Sequence, residues 1–220
     1  MTKKIINQKE VAKKVFESLT KVDPNCILAG GAPRDWYFRK EAKDLDFYFC
    51  SSASKIGEVL NQLKMCGIPD NVHHNHCHHF DEENSIYSRM DGIQRIYNVY
   101  IEEQKVQLIM MRSCRDRWSC VHEMDVSICQ IYCNNSLKLY RDRNFILTEL
   151  SGIMFLNEGK DNPPKWTDYH PNKMVKRFGD KFKPGTKQDA MIGSSEEILR
   201  LSEYEVKEGR SYFSRKTIEI

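Results

Sequence analysis

The stretch Leu28-Ala-Gly-Gly-Ala-Pro-Arg-Asp35 and, after eight intervening residues, the stretch Asp44-Leu-Asp-Phe-Tyr48 decide the fold of this chain. The apolar residues that end at Ala29 predict a short buried strand, and the two glycines that follow predict a turn. Pro33 suits the first turn of a helix, because its ring holds a helical φ and the missing amide hydrogen is not needed there. The first stretch therefore predicts a strand, a glycine turn and a short helix.

Residues 44–50 alternate in a way that is typical of a strand. Asp44 and Asp46 lie on one face of this strand, with carboxylates about 6 to 7 Å apart. Carboxylates bind divalent cations, and two such ions would clamp the attacking and leaving oxygens of a phosphoryl or nucleotidyl displacement. The Gly30-Gly31 turn adds a phosphate-binding element, because glycine lets backbone N–H groups approach an anion and the next helix points its N-terminus there.

The remaining patterns predict an α+β fold in which a mixed or antiparallel sheet is flanked by helices. Apolar residues at helical spacing predict helices, and alternating runs around Asp-Gly or Asn-Asn predict hairpins. The predicted elements are helices at 8–21 and 54–65, a hairpin of strands 85–90 and 93–101, a strand at 105–111, and a hairpin of strands 128–133 and 137–140. Beyond about Glu158, prolines and glycines interrupt basic segments, so we expect residues 1–157 to form one domain and residues 158–220 a basic extension that packs on it.

Composition excludes several classes of protein. Of the 220 residues, 40% are hydrophobic and 30% are charged, a balance typical of a globular chain rather than a disordered one. The net charge of +3 is too small to indicate a nucleic-acid partner by itself. No apolar run approaches the roughly 20 residues that cross a bilayer, and the N-terminus lacks the pattern of a secretory signal. We therefore expect a cytoplasmic protein without a membrane partner, whose eight cysteines are free thiols.

The two stretches quoted above share a pattern, Gly-Gly-x-x-Arg-Asp followed by Asp-x-Asp. This pattern resembles that of the DNA polymerase beta-like nucleotidyltransferase superfamily, in particular the head domain of the poly(A) polymerase and CCA-adding enzyme family. The resemblance covers about residues 25–140, and residues 125–129 are more faintly similar to a further segment of the family. The matching residues are Gly30, Gly31, Arg34, Asp35, Asp44 and Asp46, with Lys43 also fitting. The resemblance implies a nucleotidyltransferase-like fold.

The resemblance also implies a reaction and roles for the matching residues. The reaction is transfer of a nucleoside monophosphate from an NTP to a hydroxyl group, with release of pyrophosphate. An RNA 3′ end, including that of tRNA, is the favoured acceptor, and a protein or small-molecule hydroxyl remains open. The expected roles are metal binding (Mg²⁺ or Mn²⁺) for Asp44 and Asp46, triphosphate binding for Gly30 and Gly31, charge neutralisation for Arg34, local geometry for Asp35, and nucleotide contacts for Lys43 and Arg177. Asp125 is a further candidate catalytic residue.

One position departs from the family's pattern. Gln107 falls where the family usually carries a third carboxylate, and a neutral amide is a weak ligand for hard cations. Asp125 or Glu103 could supply the missing group, or Asp44 and Asp46 could act alone. The alternative hypothesis is a catalytically impaired nucleotide- or RNA-binding module that kept the fold. The chain after the second hairpin is also too short for the tRNA-binding body of CCA-adding enzymes.

Two further patterns leave alternatives open. Residues 73–79, His-His-Asn-His-Cys-His-His, contain zinc-ligand side chains, but adjacent residues of a strand point to opposite faces, which favours a polar loop over a structural zinc site. In the C-terminal extension, basic residues alternate with Phe178 and Phe182. This segment either grips a polynucleotide backbone or forms an amphipathic helix that packs its phenylalanines on the domain.

Overall fold

A six-stranded mixed sheet organises the described part of the chain. The computed structural model describes residues 2–50, 55, 57–58, 61, 93–101, 103–112, 119–157 and 163–193. Its helices are α1 (Lys3–Leu19), α2 (Gly31–Tyr37), α3 (Ser119–His122), α4 (Arg143–Ser151), α5 (Tyr169–Phe178) and α6 (Lys187–Gly193). Its strands are β1 (Ile27–Ala29), β2 (Asp44–Cys50), β3 (Ile93–Ile101), β4 (Gln104–Met111), β5 (Ile131–Cys133), β6 (Leu139–Arg141), β7 (Ile153–Phe155) and β8 (Lys183–Gly185).

The strand order of the sheet is β3-β4-β2-β1-β5-β6, so β2, which carries the two aspartates, is an interior strand. β2 pairs in parallel with β4, whereas its other neighbour, β1, is antiparallel to it. The predicted α+β class with a mixed sheet flanked by helices is therefore confirmed. Because β1 and β2 run in opposite directions, the end of β1 and the start of β2 lie at the same edge of the sheet. This topology brings the glycine turn close to Asp44.

The core lies between α1 and one face of β2. Leu45, Phe47 and Phe49 are fully buried, and the ring of Phe47 meets Phe16 of α1 edge-on at a centroid distance of 4.9 Å. The predicted helix at 8–21 is confirmed, although α1 begins earlier. Thr2 starts this helix, because its hydroxyl oxygen accepts a hydrogen bond from the N–H of Ile5. Burial of this face leaves the opposite face of β2, with its aspartates, for other contacts.

The buried side chain of Gln8 fixes the segment that leads into β2. Its amide nitrogen donates to the carbonyl oxygen of Ala42 (2.7 Å) and to Oε1 of Gln104 (2.8 Å). Its amide oxygen accepts from the N–H of Ala42 and from Nε1 of Trp36, each at 3.1 Å. One side chain of α1 thus holds α2, the start of β4 and the residues just before Asp44 in a single hydrogen-bonded network.

The phenylalanines of the C-terminal extension belong to the core. Phe178 and Phe182 are buried, and both rings lie 5.4 Å from the ring of Phe38. Phe178, at the end of α5, and Phe182, after it, therefore pack on the domain, as the amphipathic alternative for this segment predicts. Lysines of the same segment remain at the surface, notably Lys176 and Lys181.

The structure departs from the predicted strand at 128–133. Residues 127–129 form a turn of 3-10 helix, and β5 begins only at Ile131. The buried side chain of Gln130 explains the break, because its amide nitrogen donates to the carbonyl oxygens of His122 and Met124. The second hairpin is confirmed, with residues 134–138 as its loop rather than a two-residue turn.

Three predicted segments lie wholly or mainly outside the described residues. They are the helix at 54–65, the first strand of the hairpin at 85–101 and the histidine-rich residues 73–79.

The expectation that all cysteines are free thiols is wrong at Cys50, which is disulfide-bonded. Four other cysteines are free thiols, namely Cys26, Cys120, Cys129 and Cys133. Within the described ranges, none of the helices combines the length and the apolarity that a bilayer span requires.

Candidate functional site

The glycine turn after β1 has a backbone that only glycine adopts easily. Gly30 has φ 74° and ψ −114°, outside the regions open to residues with a Cβ atom. Its N–H donates to the carbonyl oxygen of Ile131 on β5 (3.0 Å), which holds the turn against the sheet. A Cβ atom at Gly30 would also lie 3.1 Å from Cε of Met124. Strain and crowding therefore both require glycine at this position.

Gly31 marks the point where the predicted site residues converge. A Cβ atom built on Gly31 would lie 3.9 Å from Nη2 of Arg34 and 3.9 Å from Oδ1 of Asp44. The position that a Cβ atom of Gly31 would occupy is thus bordered by a guanidinium group and by a carboxylate. Since α2 spans only seven residues, the backbone and the side chains, rather than a long helix dipole, define the electrostatics here.

The sheet register places Gln107 beside the carboxylates. Asp46 pairs with Gln107 on β4, and Gln107 pairs with Asn98 on β3, so the three side chains form one row on one face of the sheet. Nε2 of Gln107 donates to Oδ1 of Asn98 at 2.8 Å. In the next row, Asp44 pairs with Lys105. Gln107 therefore occupies the strand position next to Asp46, as the sequence indicated.

The pKa of Tyr48 reflects the negative charge on the face of β2 that carries the two aspartates. It follows Asp44 and Asp46 at two-residue intervals on β2 and is fully buried. Burial first, and then negative charge that includes both carboxylates, raises the pKa of its hydroxyl well above the usual value. The Tyr48 hydroxyl therefore stays protonated, so Tyr48 is an uncharged neighbour of the two aspartates.

The donor set suits a divalent cation that a substrate helps to bind. No group of three His, Cys, Asp or Glu side chains that could hold a metal occurs among the described residues. Mg²⁺ commonly binds through one or two carboxylates together with substrate phosphates, rather than in a cage made by protein alone. Asp44 and Asp46 meet this requirement, and the space above Gly31 lies directly beside Asp44. The residues present therefore fit Mg²⁺ or Mn²⁺ that is shared with a phosphate group.

Arg34 lies beneath the turn rather than in solvent. Its guanidinium group is buried, and Nε and Nη2 both contact Oδ1 of Asp35 at 2.9 Å. Nη1 contacts two sulfur atoms, Sγ of Cys129 at 3.0 Å and Sδ of Met174 at 2.9 Å. The ring of Phe178 lies 5.1 Å from its central carbon atom. Arg34 thus presents a fixed positive charge to the space above Gly31.

Asp35 is held between two arginines. Its Oδ1 faces Arg34, and its Oδ2 accepts from Nη2 of Arg177 at 2.8 Å. The same Nη2 donates to the carbonyl oxygen of Glu41, and Nε of Arg177 is buried without a hydrogen-bond partner among the described residues. The structure therefore joins Arg177 to the predicted site through Asp35, as a neighbour of Arg34. Lys43 is exposed, and its backbone oxygen accepts from Gln104.

Asp125 is engaged by a histidine rather than by the aspartate pair. Its carboxylate oxygens lie 2.7 and 3.0 Å from Nδ1 of His170. Burial alone would lower the pKa of His170, but hydrogen bonds with Asp125 and Cys129 raise it to about 10, so the ring is protonated at neutral pH. Asp125 is thus half of an ion pair, and within the described residues it does not join Asp44 and Asp46 in a metal-binding cluster of three.

Sequence reasoning missed His170 and Met174. Both lie on α5, and together with Arg177 they occupy positions i, i+4 and i+7 of one helical face. That spacing was a usable signal, but nothing local to α5 shows which distant residues this face would meet.

Solved structures of tRNA-processing enzymes share this fold. A CCA-adding enzyme in complex with ATP gives a TM-score of 0.53 at 14% identity, over 95% of this chain and 43% of that chain. A tRNA-processing enzyme in an apo form gives 0.52 at 16% identity, over 90% and 47%. The Thermotoga maritima CCA-adding enzyme complexed with tRNA gives 0.50 at 11% identity, over 91% and 44%. At these identities the likeness establishes the nucleotidyltransferase-like fold alone, and the chain spans less than half the length of each of these proteins.

Sequence comparison gives a second, separate result. A family model described as Gabija anti-defense 2 family protein matches residues 3–149, which is more than half of the chain. The matched range includes the glycine turn, β2 and β4, and it ends before α5. No curated protein matches the sequence.

Proposed function

The chain belongs to the Gabija anti-defense 2 family, and from this premise we propose that it is a metal-dependent nucleotidyltransferase. It transfers a nucleoside monophosphate from an NTP to a hydroxyl group and releases pyrophosphate. The acceptor oxygen forms a bond to the α-phosphorus, the bond from that phosphorus to the bridging oxygen breaks, and the hydroxyl proton leaves to solvent. In this proposal, the anti-defence role in the family's name follows from modification of an acceptor that defence requires.

The observation that carries the proposal is the convergence at Gly31. The backbone of Gly31, which has no side chain, the guanidinium of Arg34 and the carboxylate of Asp44 all border one position. A triphosphate needs close backbone approach and positive charge, and a carboxylate at the same place allows a cation to be shared between protein and phosphate. A turn that served only to connect β1 and α2 would require none of these groups together.

Each part of the site contributes a separate effect. The turn receives the triphosphate, Arg34 stabilises negative charge from beneath, and Asp35 keeps that guanidinium in place. Arg177 supplies a positive charge beside Asp35 for the nucleotide, and exposed Lys43 contacts the outer phosphates. Asp44 and Asp46 hold Mg²⁺ or Mn²⁺, which supply Lewis-acid polarisation of phosphate oxygens when bound.

An RNA 3′ end is the acceptor that we favour. The structural neighbours include complexes with ATP, with CTP and with tRNA, and the fold is shared with them. This chain spans less than half the length of those proteins, and we propose that the site described here acts on the RNA end itself. The cytoplasm, where NTPs and RNA meet, is the proposed location.

The test is incorporation of label from each of the four NTPs, with Mg²⁺ or Mn²⁺ and total RNA. Label is counted separately in RNA, protein and small-molecule fractions. We expect incorporation into RNA, and we expect the double variant Asp44→Asn with Asp46→Asn to lose it, since amides bind hard cations weakly. The exposed Asp180→Asn serves as the matched control and should retain full activity. No incorporation by the wild-type chain, or undiminished incorporation by the double variant, would refute the proposal.

Gln107 favours a second candidate, a nucleotide- or RNA-binding module without turnover. This residue stands beside Asp46 where a third carboxylate would complete the site. Gln107→Glu separates the two candidates. If the wild-type chain is a binding module, it binds NTP without incorporation, and the variant gains metal-dependent incorporation. If the wild-type chain is an active enzyme, incorporation is present before the substitution is made.

A further inference from the structure

A row of solvent-accessible side chains crosses the sheet from Asp44 to β3. Asp44 pairs with Lys105 on β4, and Lys105 pairs with Tyr100 on β3, so the three side chains share one face of the sheet. Asp44 and Lys105 are half-buried, and Tyr100 is 49% exposed. Neighbouring strands lie about 4.8 Å apart, which places the backbone of Tyr100 about 10 Å from that of Asp44.

The accessible part of this face is confined to the end that carries the aspartates. In the second row, Asp46 pairs with Gln107 and Gln107 with Asn98, and the two amides are joined by a hydrogen bond of 2.8 Å. The third row is buried and consists of Tyr48, Ile109 and Ile96. Beyond the aspartates, therefore, the two accessible rows contain one cation, one aromatic ring and two uncharged amides.

The geometry of the proposed reaction assigns these rows to one of the two substrates. The glycine turn follows β1, and β1 and β4 flank β2 on opposite sides. In an in-line displacement, the attacking oxygen approaches phosphorus from the side opposite to the leaving group. If pyrophosphate leaves over the glycine turn, the acceptor hydroxyl approaches the aspartates from the side of β4 and β3. The accessible rows lie on that side.

We propose that Lys105 and Tyr100, here called the acceptor strip, bind the terminal nucleotide of a single-stranded RNA. The proposal deepens the proposed function and rests on it for the reaction and for the direction from which the acceptor approaches. An exposed aromatic ring stacks on a nucleobase of any type, and a lysine binds a backbone phosphate. The amides of Gln107 and Asn98 add no negative charge that would repel the RNA backbone.

A purely structural origin of the acceptor strip makes a different prediction. Tyrosine is favoured in strands for its packing against cross-strand neighbours, and a lysine on an accessible strand face is ordinarily solvated. On that account, replacement of Tyr100 changes stability slightly and leaves RNA binding unaltered. The two accounts separate when the stacking partner is removed from the RNA as well as from the protein.

The experiment measures the binding of a short single-stranded RNA by fluorescence anisotropy, with Mg²⁺ and without NTP. The RNA is used intact and with an abasic 3′-terminal residue. Tyr100→Ala should weaken binding of the intact RNA about 5- to 30-fold, the lower part of the range for base–aromatic stacking, because the ring is half exposed. Tyr100→Phe retains the ring and should stay within about twofold of the wild-type affinity.

The abasic RNA identifies the base that stacks. The wild-type chain should bind it more weakly than the intact RNA, by a factor similar to that of Tyr100→Ala. Tyr100→Ala should bind both RNAs equally, because the interaction is already lost; such non-additivity indicates direct contact. In the labelled-NTP assay, Tyr100→Ala should raise KM for RNA and leave KM for NTP within about twofold, a split that a general loss of structure would not produce.

Lys105 is tested through the salt dependence of binding. Lys105→Gln should reduce the slope of log affinity against log salt concentration by about 0.7, the value for one phosphate contact of a single strand. Lys13→Gln is the matched control, because Lys13 is exposed on α1, and α1 packs on the opposite face of the sheet. The control should leave both the affinity and the slope unchanged.

Several results would overturn the proposal. It is wrong if the wild-type chain does not bind the RNA, if Tyr100→Ala binds intact RNA normally, or if the wild-type chain does not distinguish intact from abasic RNA. Incorporation of label only into protein or small molecules also overturns it. Should Tyr100→Ala fail to fold, the comparison of the two RNAs on the wild-type chain decides.

The outcomes also distinguish this inference from the proposed function. RNA binding that depends on Tyr100 and on the terminal base, without incorporation of label, leaves the inference standing and removes the enzyme. Incorporation into RNA with an unchanged KM for RNA in Tyr100→Ala does the reverse.

Discussion

Replacement of Gly31 by alanine tests the convergence on which the candidate site depends. The added Cβ atom meets its nearest neighbours, Nη2 of Arg34 and Oδ1 of Asp44, at 3.9 Å, which is ordinary van der Waals contact. The backbone of Gly31 is helical, so alanine adopts it without strain. Alanine also restricts the unfolded chain, which contributes about 0.4 to 1 kcal/mol in favour of folding. We therefore expect Gly31→Ala to be as stable as the wild-type chain or slightly more stable.

The same substitution should weaken the binding of NTP, although it leaves stability unchanged or slightly higher. The new methyl group occupies the position between guanidinium and carboxylate where a phosphate oxygen would approach the backbone. Loss of one hydrogen bond to a charged group costs about 1.5 to 3 kcal/mol, and this corresponds to an increase in KM for NTP of roughly 10- to 100-fold. Denaturant unfolding measures the first quantity, and the labelled-NTP assay measures the second.

The result that would refute this reasoning is specific. If Gly31→Ala folds normally and its KM stays within about twofold of the wild-type value, no anion binds over the turn. A large loss of stability would show instead that the packing around Gly31 is tighter than the 3.9 Å contacts indicate.

Three further outcomes follow from the fold. Gly30→Ala should lower the free energy of unfolding by about 2 to 3 kcal/mol, and Gly152→Ala by only about 1 kcal/mol. Both glycines have positive φ, but only Gly152 lies in the left-handed helical region, where alanine is less strained. Equal losses in urea unfolding would contradict this. Gln8→Ala should cost about 2 to 4 kcal/mol, because it strands several buried hydrogen-bonding groups at once, and a loss under about 1 kcal/mol would show that water replaces them. The hydrogen bond with Asp142 raises the pKa of His122. The stabilisation that this pair contributes is therefore complete below the unfolded-state pKa of 6.5, and it declines as pH rises through the raised pKa. In unfolding experiments at several pH values, Asp142→Asn should make this decline in the free energy of unfolding smaller. An unchanged decline would show that the pair between His122 and Asp142 does not cause it.

Local sequence patterns were sufficient to predict the three elements that carry the candidate site. The glycine pair and the alternation at 44–50 predicted β1, α2 and β2, because turn chemistry and period-two burial are properties of neighbouring residues. The family resemblance put Gln107 at the position of the third carboxylate, and in the structure Gln107 pairs with Asp46.

The parts that could not be predicted depend on residues far apart in the chain. Asp125 was expected to be a third catalytic carboxylate, and its partner is His170, 45 residues later. The strand expected from Ile128 was interrupted because the buried amide of Gln130 takes backbone acceptors from the preceding segment. Arg34 was expected to neutralise phosphate charge, and its burial against Met174, 140 residues later, could not be predicted from its neighbours in the chain. In each case a long-range polar contact overrode the local pattern.

The parallel pairing of β2 with β4 has a consequence for how the chain folds. Asp44 finds its partner, Lys105, 61 residues later, whereas β1 and β2 are neighbours along the chain. Closing a loop of that length costs about 3 to 4 kcal/mol of chain entropy before any strand contact compensates for it. A nascent chain that has not yet emerged to residue 111 cannot complete the sheet around the aspartates. The carboxylate face should therefore be among the last regions to gain protection from hydrogen exchange during refolding, after local elements such as α1 have formed.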